Sequence, residues 1–360
     1  MDPAVTGNNG SGRWIAAATT LVAASLDLVY GAEASLIVPL VFGPFVASAL
    51  TSVRDTAVVA VAATVLGILL GFTDDTIGTS PHVVRVASVA VGGLLAVWLA
   101  VSRIARERKL RAVTHVAQVA QQAILHPLPD DLGGIRLAAR YLSASAEAQI
   151  GGDFYDAQET PWGVRLIVGD VRGKGLEAVR LASVLLGEFR SRARSEPQLT
   201  VVAKTVDTAG RRVGDGGGED FATAVFVQLD GDLATIIRCG HPLPLLASGQ
   251  DVHPIDVPPS LPLCLDTEAI AEELRLCSGS RILLFSDGAF EGRDAKGDYF
   301  DLQSSFSRHV GVPDLGMVLE RILEDLDRHC EGGITDDVVL VIAEQPTARS
   351  ARPPEGLDLS

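Results

Sequence analysis

Between Trp14 and Val101 charged residues almost vanish, and from Arg103 onward they become frequent. Four apolar runs fill the first segment: Trp14 to Tyr30, Ala34 to Ser52, Ala57 to Phe72, and Val83 to Val101. Each comes close to the ~17–25 residues a helix needs to cross a hydrocarbon core, the first and third at the short limit. A secretory signal could account only for the first run. Four consecutive helices that are apolar all round are hard to bury in a soluble protein. The expectation is therefore an all-α region of about four transmembrane helices, followed by a soluble part. Arg13, Arg54 and the group Arg103, Arg106, Arg108, Lys109 and Arg111 flank one side of this region, while the other connections carry only Glu33, and Asp74 with Asp75. The positive-inside rule then places both termini in the cytoplasm. Asp27 and Arg85, near the edges of runs, read as interfacial residues that snorkel.

The 360-residue chain carries a net charge of −15, and its basic residues form no patch interleaved with aromatics, which disfavours nucleic acid as a partner. Cys239, Cys264, Cys277 and Cys330 lie far apart with no CxxC pair, so they fit neither a zinc site nor a disulfide framework and read as reduced packing residues. From Arg103 to Leu125 the pattern is helical. Leu110, Val113, Ala117, Ala120 and Ile124 recur at alternating steps of three and four, as in a short coiled-coil seam that would pair two chains, or in a plain linker helix. His126-Pro127-Leu128-Pro129 ends it.

Beyond this point strands join through hairpins. "GGDFYDA" and "GVRLIVG" (163–169) flank Pro161-Trp162, a turn. Asp170 ends the second strand inside "GDVRGKG", and a helix follows with Ala178, Leu181, Ala182, Leu185, Leu186 and Phe189 on one face. Ala222 to Leu229 and Leu233 to Cys239 flank the turn Asp230-Gly231-Asp232. Further strands are expected at Pro244 to Ala247, Ile282 to Phe285 and Val338 to Ala343. Hairpins with inserted helices indicate an α+β layered domain with antiparallel sheets. The first twelve residues and the tail after Glu344 read as disordered.

Four acids stand at strand ends or turns: Asp153 in "GGDFYD", Asp170 in "GDVRGKG", Asp287 in "FSDGAFEG" and Asp336 in "ITDDVVL". Any one aspartate beside glycine is an ordinary turn. Together, each adjoining a strongly apolar strand, they would repel at one rim unless cations neutralised them, and oxygen-only ligands suit Mg²⁺ or Mn²⁺. "GDVRGKG" is not a P-loop, because the glycine spacing is too short and Gly175 follows Lys174. "GGDF" lacks the Glu that would follow Asp153 in a diguanylate cyclase. His241 in "CGHPLPLL" has no nucleophile elbow beside it and reads as a structural or rim residue.

"GGDFYD", "GDVRGKG", "CGHPLPLL", "LLFSDGAFEGRD" and "TDDVVLVI", in this order, resemble the SpoIIE-type branch of the metal-dependent serine/threonine protein phosphatases, the type 2C superfamily, over roughly residues 125 to 343. The resemblance implies an αββα sandwich of two antiparallel sheets flanked by helices. It also implies a two-ion Mn²⁺ or Mg²⁺ centre at one edge. It assigns Asp170 as the bridge between the ions, the Val171 carbonyl as a further ligand, Asp287 and Asp336 as direct ligands, and Asp153 as a ligand directly or through water. Asp156, Glu291 and Asp337 become supporting acids or ordinary turn acids. Arg172, Cys239 and Cys264 stand where the family commonly has Ser, Ala and Gly, and none of the three removes a metal-binding acid. The implied organisation is a disordered start at 1–12, a transmembrane region at 13–102, a signalling or linker helix at 103–130, the phosphatase domain at 131–344 and a disordered tail at 345–360. The implied activity is hydrolysis of phosphoserine or phosphothreonine on a cytoplasmic regulator such as an anti-sigma-factor antagonist. The alternative is a non-catalytic module that uses the fold to bind a partner.

Overall fold

The computed structural model describes residues 9–34, 38–73, 77–143, 151–213, 220–331, 333–334 and 336–345, with the backbone alone for 9–10, 27–28, 30–34, 38, 73, 110–111 and 113–123. The chain divides into two compact units, Met1–Val113 and Thr114–Ser360.

The first unit is helical: α1 (Asn9–Ala34), a 3₁₀ turn (Val38–Val41), α2 (Phe42–Leu50), α3 (Val53–Thr73) and α4 (Ser80–Ile124), which runs past the unit boundary. Two stretches, Val53–Phe72 and Ser80–Lys109, are long and apolar enough to cross a bilayer, with hydropathies of 2.1 and 2.0. The second expected run is not one span. Pro39 and the Gly43-Pro44 pair break it into the 3₁₀ turn and a short helix, and the apolar piece Pro39–Leu50 covers only ~18 Å at 1.5 Å per residue, against the ~30 Å of a hydrocarbon core. Among the described residues two helices thus have the length and hydropathy of a span, and the expected count of about four is not confirmed. Small residues such as Ala16, Ala47, Ala63, Ala96 and Ala100 are packed inside this unit, while Trp14, Val61, Phe72, Leu94 and Trp98 face outward. Disorder was expected through residue 12, yet α1 begins at Asn9; residues 1–8 and 346–360 lie outside the described residues. Of the seam on α4, the side chains of Leu110, Val113, Ala117 and Ala120 lie outside them too.

The second unit follows in the order β1 (Asp131–Leu132), β2 (Ile135–Leu142), β3 (Phe154–Thr160), β4 (Gly163–Val171), α5 (Leu176–Ala193), α6 (Leu199–Val213), β5 (Ala222–Asp230), β6 (Leu233–Cys239), β7 (Leu245–Ser248), β8 (Asp251–Pro254), β9 (Pro259–Ser260), β10 (Ala271–Arg275), β11 (Arg281–Phe285), α7 (Gly288–Glu291), α8 (Leu302–His309), α9 (Leu315–His329) and β12 (Val338–Glu344). One sheet has the order β1-β2-β12-β11-β7-β8. The other has β10-β6-β5-β4-β3, with β9 on β6. Apart from the parallel β6–β9 pair, the ladders within both sheets are antiparallel.

Three apolar layers make this an αββα sandwich. Val164, Leu166 and Val168 of β4 and Val225 and Val227 of β5 meet Ile282, Leu284, Val339 and Val341 of the facing sheet. The alternate residues Ile167 and Phe226 turn outward to Ala182, Leu185 and Phe189 of α5 and Val202 and Val206 of α6. Leu283, Leu340 and Ile342 do the same toward Phe306 of α8 and Val318 and Ile322 of α9. Because both faces of the central strands are covered, β4 and β12 read as nearly continuous apolar runs rather than alternating ones. The helix face expected at Ala178 to Phe189 is buried as a block. The strand β2, IRLAARYL, was not expected. Its Arg136 pairs with Glu344 on the neighbouring strand β12 at 2.6 Å and its Arg140 reaches Glu320 of α9 at 2.7 Å, which blurs the apolar alternation. Of the cysteines, Cys239 and Cys330 are buried as expected, but Cys277 is exposed; all four are free thiols.

Candidate metal centre

Four strand ends from the two sheets deliver acids to one edge of the sandwich. Asp170 is the penultimate residue of β4 and lies in register opposite Thr223 of β5. Asp153 immediately precedes β3, which the hairpin turn holds against β4, and is 4% exposed. Asp287 follows β11 and stands at the first position before the single turn of α7, its side chain making no capping hydrogen bond. Asp336 lies two residues before β12 and is exposed. All four predicted positions thus come together, two from each sheet.

The glycines of "IGGDFYDA" explain how the backbone fits there. A Cβ on Gly151 would lie 2.4 Å from Asp337 Oδ2, and one on Gly152 would lie 2.5 Å from the Val171 carbonyl oxygen. Gly151 N–H instead donates to Asp337 Oδ2 at 3.0 Å, and Val171 N–H donates to the Gly152 carbonyl at 3.2 Å. The stretch is neither a cyclase loop nor a plain turn; it is a close backbone crossing that brings Asp153 beside Asp170 and Val171.

The electrostatics are those of crowded carboxylates. Burial, reinforced by the charge of Asp170, holds the Asp153 carboxyl well above the usual range. Burial and then Asp287 push Asp170 up to about 7, while its contact with Asp153 acts the other way. Asp287 is raised by burial and by Asp336. Asp153 Oδ2 is buried without a hydrogen-bond partner. The Lys174 ammonium sits 2.9 Å from Asp336 Oδ1, and this contact raises its pKa.

Neighbouring residues complete the setting, among them Ser286, which was not singled out in the sequence. Ser286, fully buried, lies against Asp153 and accepts from Val339 N–H at 2.9 Å. It stands inside the quoted "FSDG", where a polar residue ending an apolar strand was the available signal. Asp337 is 4% exposed and accepts from Tyr141, from Ser143 at 3.3 Å and from Gly151 N–H. It therefore anchors the glycine crossing. Asp156 is instead tied to Arg190 of α5 and to Gln158, and Glu291 is exposed on α7. His241 is not at the rim: it is 2% exposed. A cavity of about 170 Å³ opens beside Val171, lined in part by Arg172, Lys174, Glu177 and Arg180, and Arg172 stacks over Phe221 at 5.4 Å.

Residues 160–346 match the family described as stage II sporulation protein E, SpoIIE. The chain belongs to the SpoIIE family, whose members are PP2C-type serine/threonine phosphatases. The matched segment contains Asp170, Asp287 and Asp336; Asp153 lies just before it and is brought in by the β3–β4 hairpin. Among solved structures, the RsbU and RsbW domains of a Mycobacterium tuberculosis protein resemble the chain with a TM-score of 0.55 at 23% identity, over 64% of this chain and 64% of that one. The SiaA-PP2C domain of Pseudomonas aeruginosa gives 0.56 at 15% identity, over 67% of this chain and 98% of that one. At such identities the likeness shows the fold, the two-sheet sandwich described above. The chain spans about 64% of the length of the Mycobacterium tuberculosis structure.

Whether this SpoIIE family member's centre suits divalent cations is decided by its donors. Among the described residues no three acidic, histidine or cysteine side chains are already closed around a common point. Asp153 faces Asp170, and Asp336 turns to Lys174. The donor chemistry nonetheless fits: oxygen ligands only, carboxyls that resist ionising together, and a buried carboxylate oxygen with no partner. For Asp336 to join the other acids around an ion, its exposed side chain would have to rotate away from Lys174.

Proposed function

We propose that this chain is a membrane-anchored, metal-dependent protein phosphatase acting on phosphoserine or phosphothreonine of a cytoplasmic regulatory protein. The observation that carries the reading is the convergence of Asp153, Asp170, Asp287 and Asp336 around a buried carboxylate oxygen that has no protein partner. Carboxylates packed this closely oppose one another's charge, and folding tolerates the arrangement where cations are the intended counter-charge.

Asp170, central among the acids and adjacent to the Val171 carbonyl, would hold the ions together with Asp287 and Asp336 from the other sheet and Asp153, the last directly or through water. Two Mn²⁺ or Mg²⁺ ions held there would supply hydroxide at neutral pH and stabilise charge on the phosphoryl oxygens. Ser286 orients Asp153, and Asp337 fixes the glycine crossing that carries it. Lys174, released from Asp336, and Arg172 and Arg180 at the cavity mouth present positive charge to an approaching phosphate dianion.

An anti-sigma-factor antagonist is the substrate we favour, on the support of the likeness to a structure described as RsbU and RsbW domains. The domain limits proposed are 131–344 for the phosphatase and 103–130 for the helix leading into it, which would also serve a homodimer. Membrane anchorage rests on the two long apolar helices and the outward-facing large side chains of the first unit, and the Arg and Lys bias places the phosphatase in the cytoplasm.

The test is hydrolysis of a phosphorylated antagonist protein by the full-length chain in detergent, with Mn²⁺, with Mg²⁺ or with chelator. Asp170→Asn should lower turnover by orders of magnitude while the unfolding transition persists. Full activity in chelator, or equal turnover in wild type and variant, sinks the assignment.

A further inference from the structure

His241 lies outside the acidic set, yet it touches both sheets that supply it. The chain leaves β6 at Cys239, turns at Gly240 with φ of +67°, and sends the His241 ring inward. Gly240 N–H donates to the Ser260 carbonyl at 3.1 Å, which holds the turn in place. The ring is 2% exposed, and Nδ1 lies 2.9 Å from Thr223 Oγ1. Thr223 belongs to β5 and is the register partner of Asp170. The ring also faces the Phe285 carbonyl, at less than full hydrogen-bond geometry, since the buried Nε2 makes no complete bond. Phe285 ends β11, in the other sheet, and is followed directly by Ser286 and Asp287.

We infer that His241 is a positioning residue that links Thr223 of one sheet to the end of β11 in the other and so sets the spacing at which Asp170 and Asp153 meet Asp287 and Asp336. Across the interior the two sheets meet mainly through apolar side chains, whose packing is non-directional, with the polar links of Gly151 to Asp337 and Lys174 to Asp336 lying nearer the rim. A polar ring held at a threonine on one side and aimed at a carbonyl on the other adds direction. Neutral imidazole suits this role because it offers one donor and one acceptor. With the Thr223 hydroxyl donating to Nδ1, the remaining N–H is the one aimed at Phe285. Burial, aided by the nearby Arg238 guanidinium, lowers the His241 pKa to about 3, so the ring stays in this neutral form at ordinary pH. Groups that orient metal ligands from behind typically change metal affinity by roughly 10–100-fold when removed.

The inference rests on reading the four aspartates as metal ligands, and Mn²⁺ itself is the probe. Free Mn²⁺ would be titrated by electron paramagnetic resonance with the full-length protein in detergent, for wild type, Asp170→Asn, His241→Phe, His241→Asn and Thr223→Val. Expected are loss of tight binding in Asp170→Asn and roughly 10–100-fold weaker binding in His241→Phe and in Thr223→Val. Partial recovery is expected in His241→Asn, which keeps a polar group for Thr223. The double variant His241→Phe with Thr223→Val should bind no more weakly than His241→Phe alone, since both remove one link. If His241→Phe does not fold, Thr223→Val, close in volume to the native residue, decides. Binding within twofold to threefold of wild type in the folded His241 and Thr223 variants, with Asp170→Asn defective, overturns the positioning role alone. Wild-type binding in Asp170→Asn overturns the metal reading and the inference together.

Discussion

Gly151 N–H donates to Asp337 Oδ2 at 3.0 Å, at a point where a methyl group on Gly151 would lie 2.4 Å from the same oxygen. The acid is buried and also accepts from Tyr141 and Ser143, so the backbone before Asp153 is held by a carboxylate that immediately precedes β12 and its apolar run from Val338. Gly151→Ala should therefore destabilise the phosphatase unit by about 1–3 kcal/mol, the usual cost of forcing extra volume into a packed site. Tyr141→Phe, which removes one hydrogen bond to a charged group, should cost about 1.5–3 kcal/mol. Denaturant unfolding followed by near-UV circular dichroism measures both. Wild-type midpoints would mean that the crossing does not depend on this contact.

The metal-free protein should lose stability as pH rises. Asp170 titrates at about 7 in the folded chain against an ordinary value of 3.8, because burial and then Asp287 disfavour its charged form. The folded state thus holds a proton that the unfolded state has released, and its stability falls as pH climbs from the unfolded value through the folded one. In chelator, Tm should drop between about pH 5 and about pH 8, and Asp170→Asn should flatten that drop and exceed wild type at the upper end. Added Mn²⁺ should raise Tm more at about pH 8 than at about pH 5, since binding requires the carboxylates deprotonated. Parallel wild-type and variant curves would remove Asp170 as the source.

The arginine and lysine bias predicts which side of the membrane each region occupies. Ser80, at the start of α4, and Ser195, after α5, are both exposed and suit single-cysteine labelling in a Cys277→Ser background that removes the exposed native thiol. In intact cells an impermeant maleimide should modify Ser80→Cys and spare Ser195→Cys until the membrane is opened. The reverse pattern would invert the topology.

Much of the catalytic half is written locally. The hairpin from Phe154 to Val171, the buried face of α5 and the strands carrying Asp170 and Asp287 follow from turn residues and apolar periodicity, which act between neighbours along the chain. The four aspartates were legible for the same reason, each ending an apolar strand. The strand β2 was not, because Arg136 and Arg140 interrupt its pattern to reach Glu344 and Glu320, partners about two hundred residues away in sequence. The second apolar run looked like one span, but Pro39 and Pro44 remove backbone donors and split it. Ser286 against Asp153, Asp337 beneath Gly151 and His241 between Thr223 and Phe285 were equally out of reach. The amino-acid sequence by itself determined which segments are apolar, where strands end and which acids stand at those ends. Only the tertiary structure decided which strand ends share an edge and which polar side chains are enclosed there, because burial and charge crowding depend on sheets brought together by long-range packing, and no local pattern records that distance.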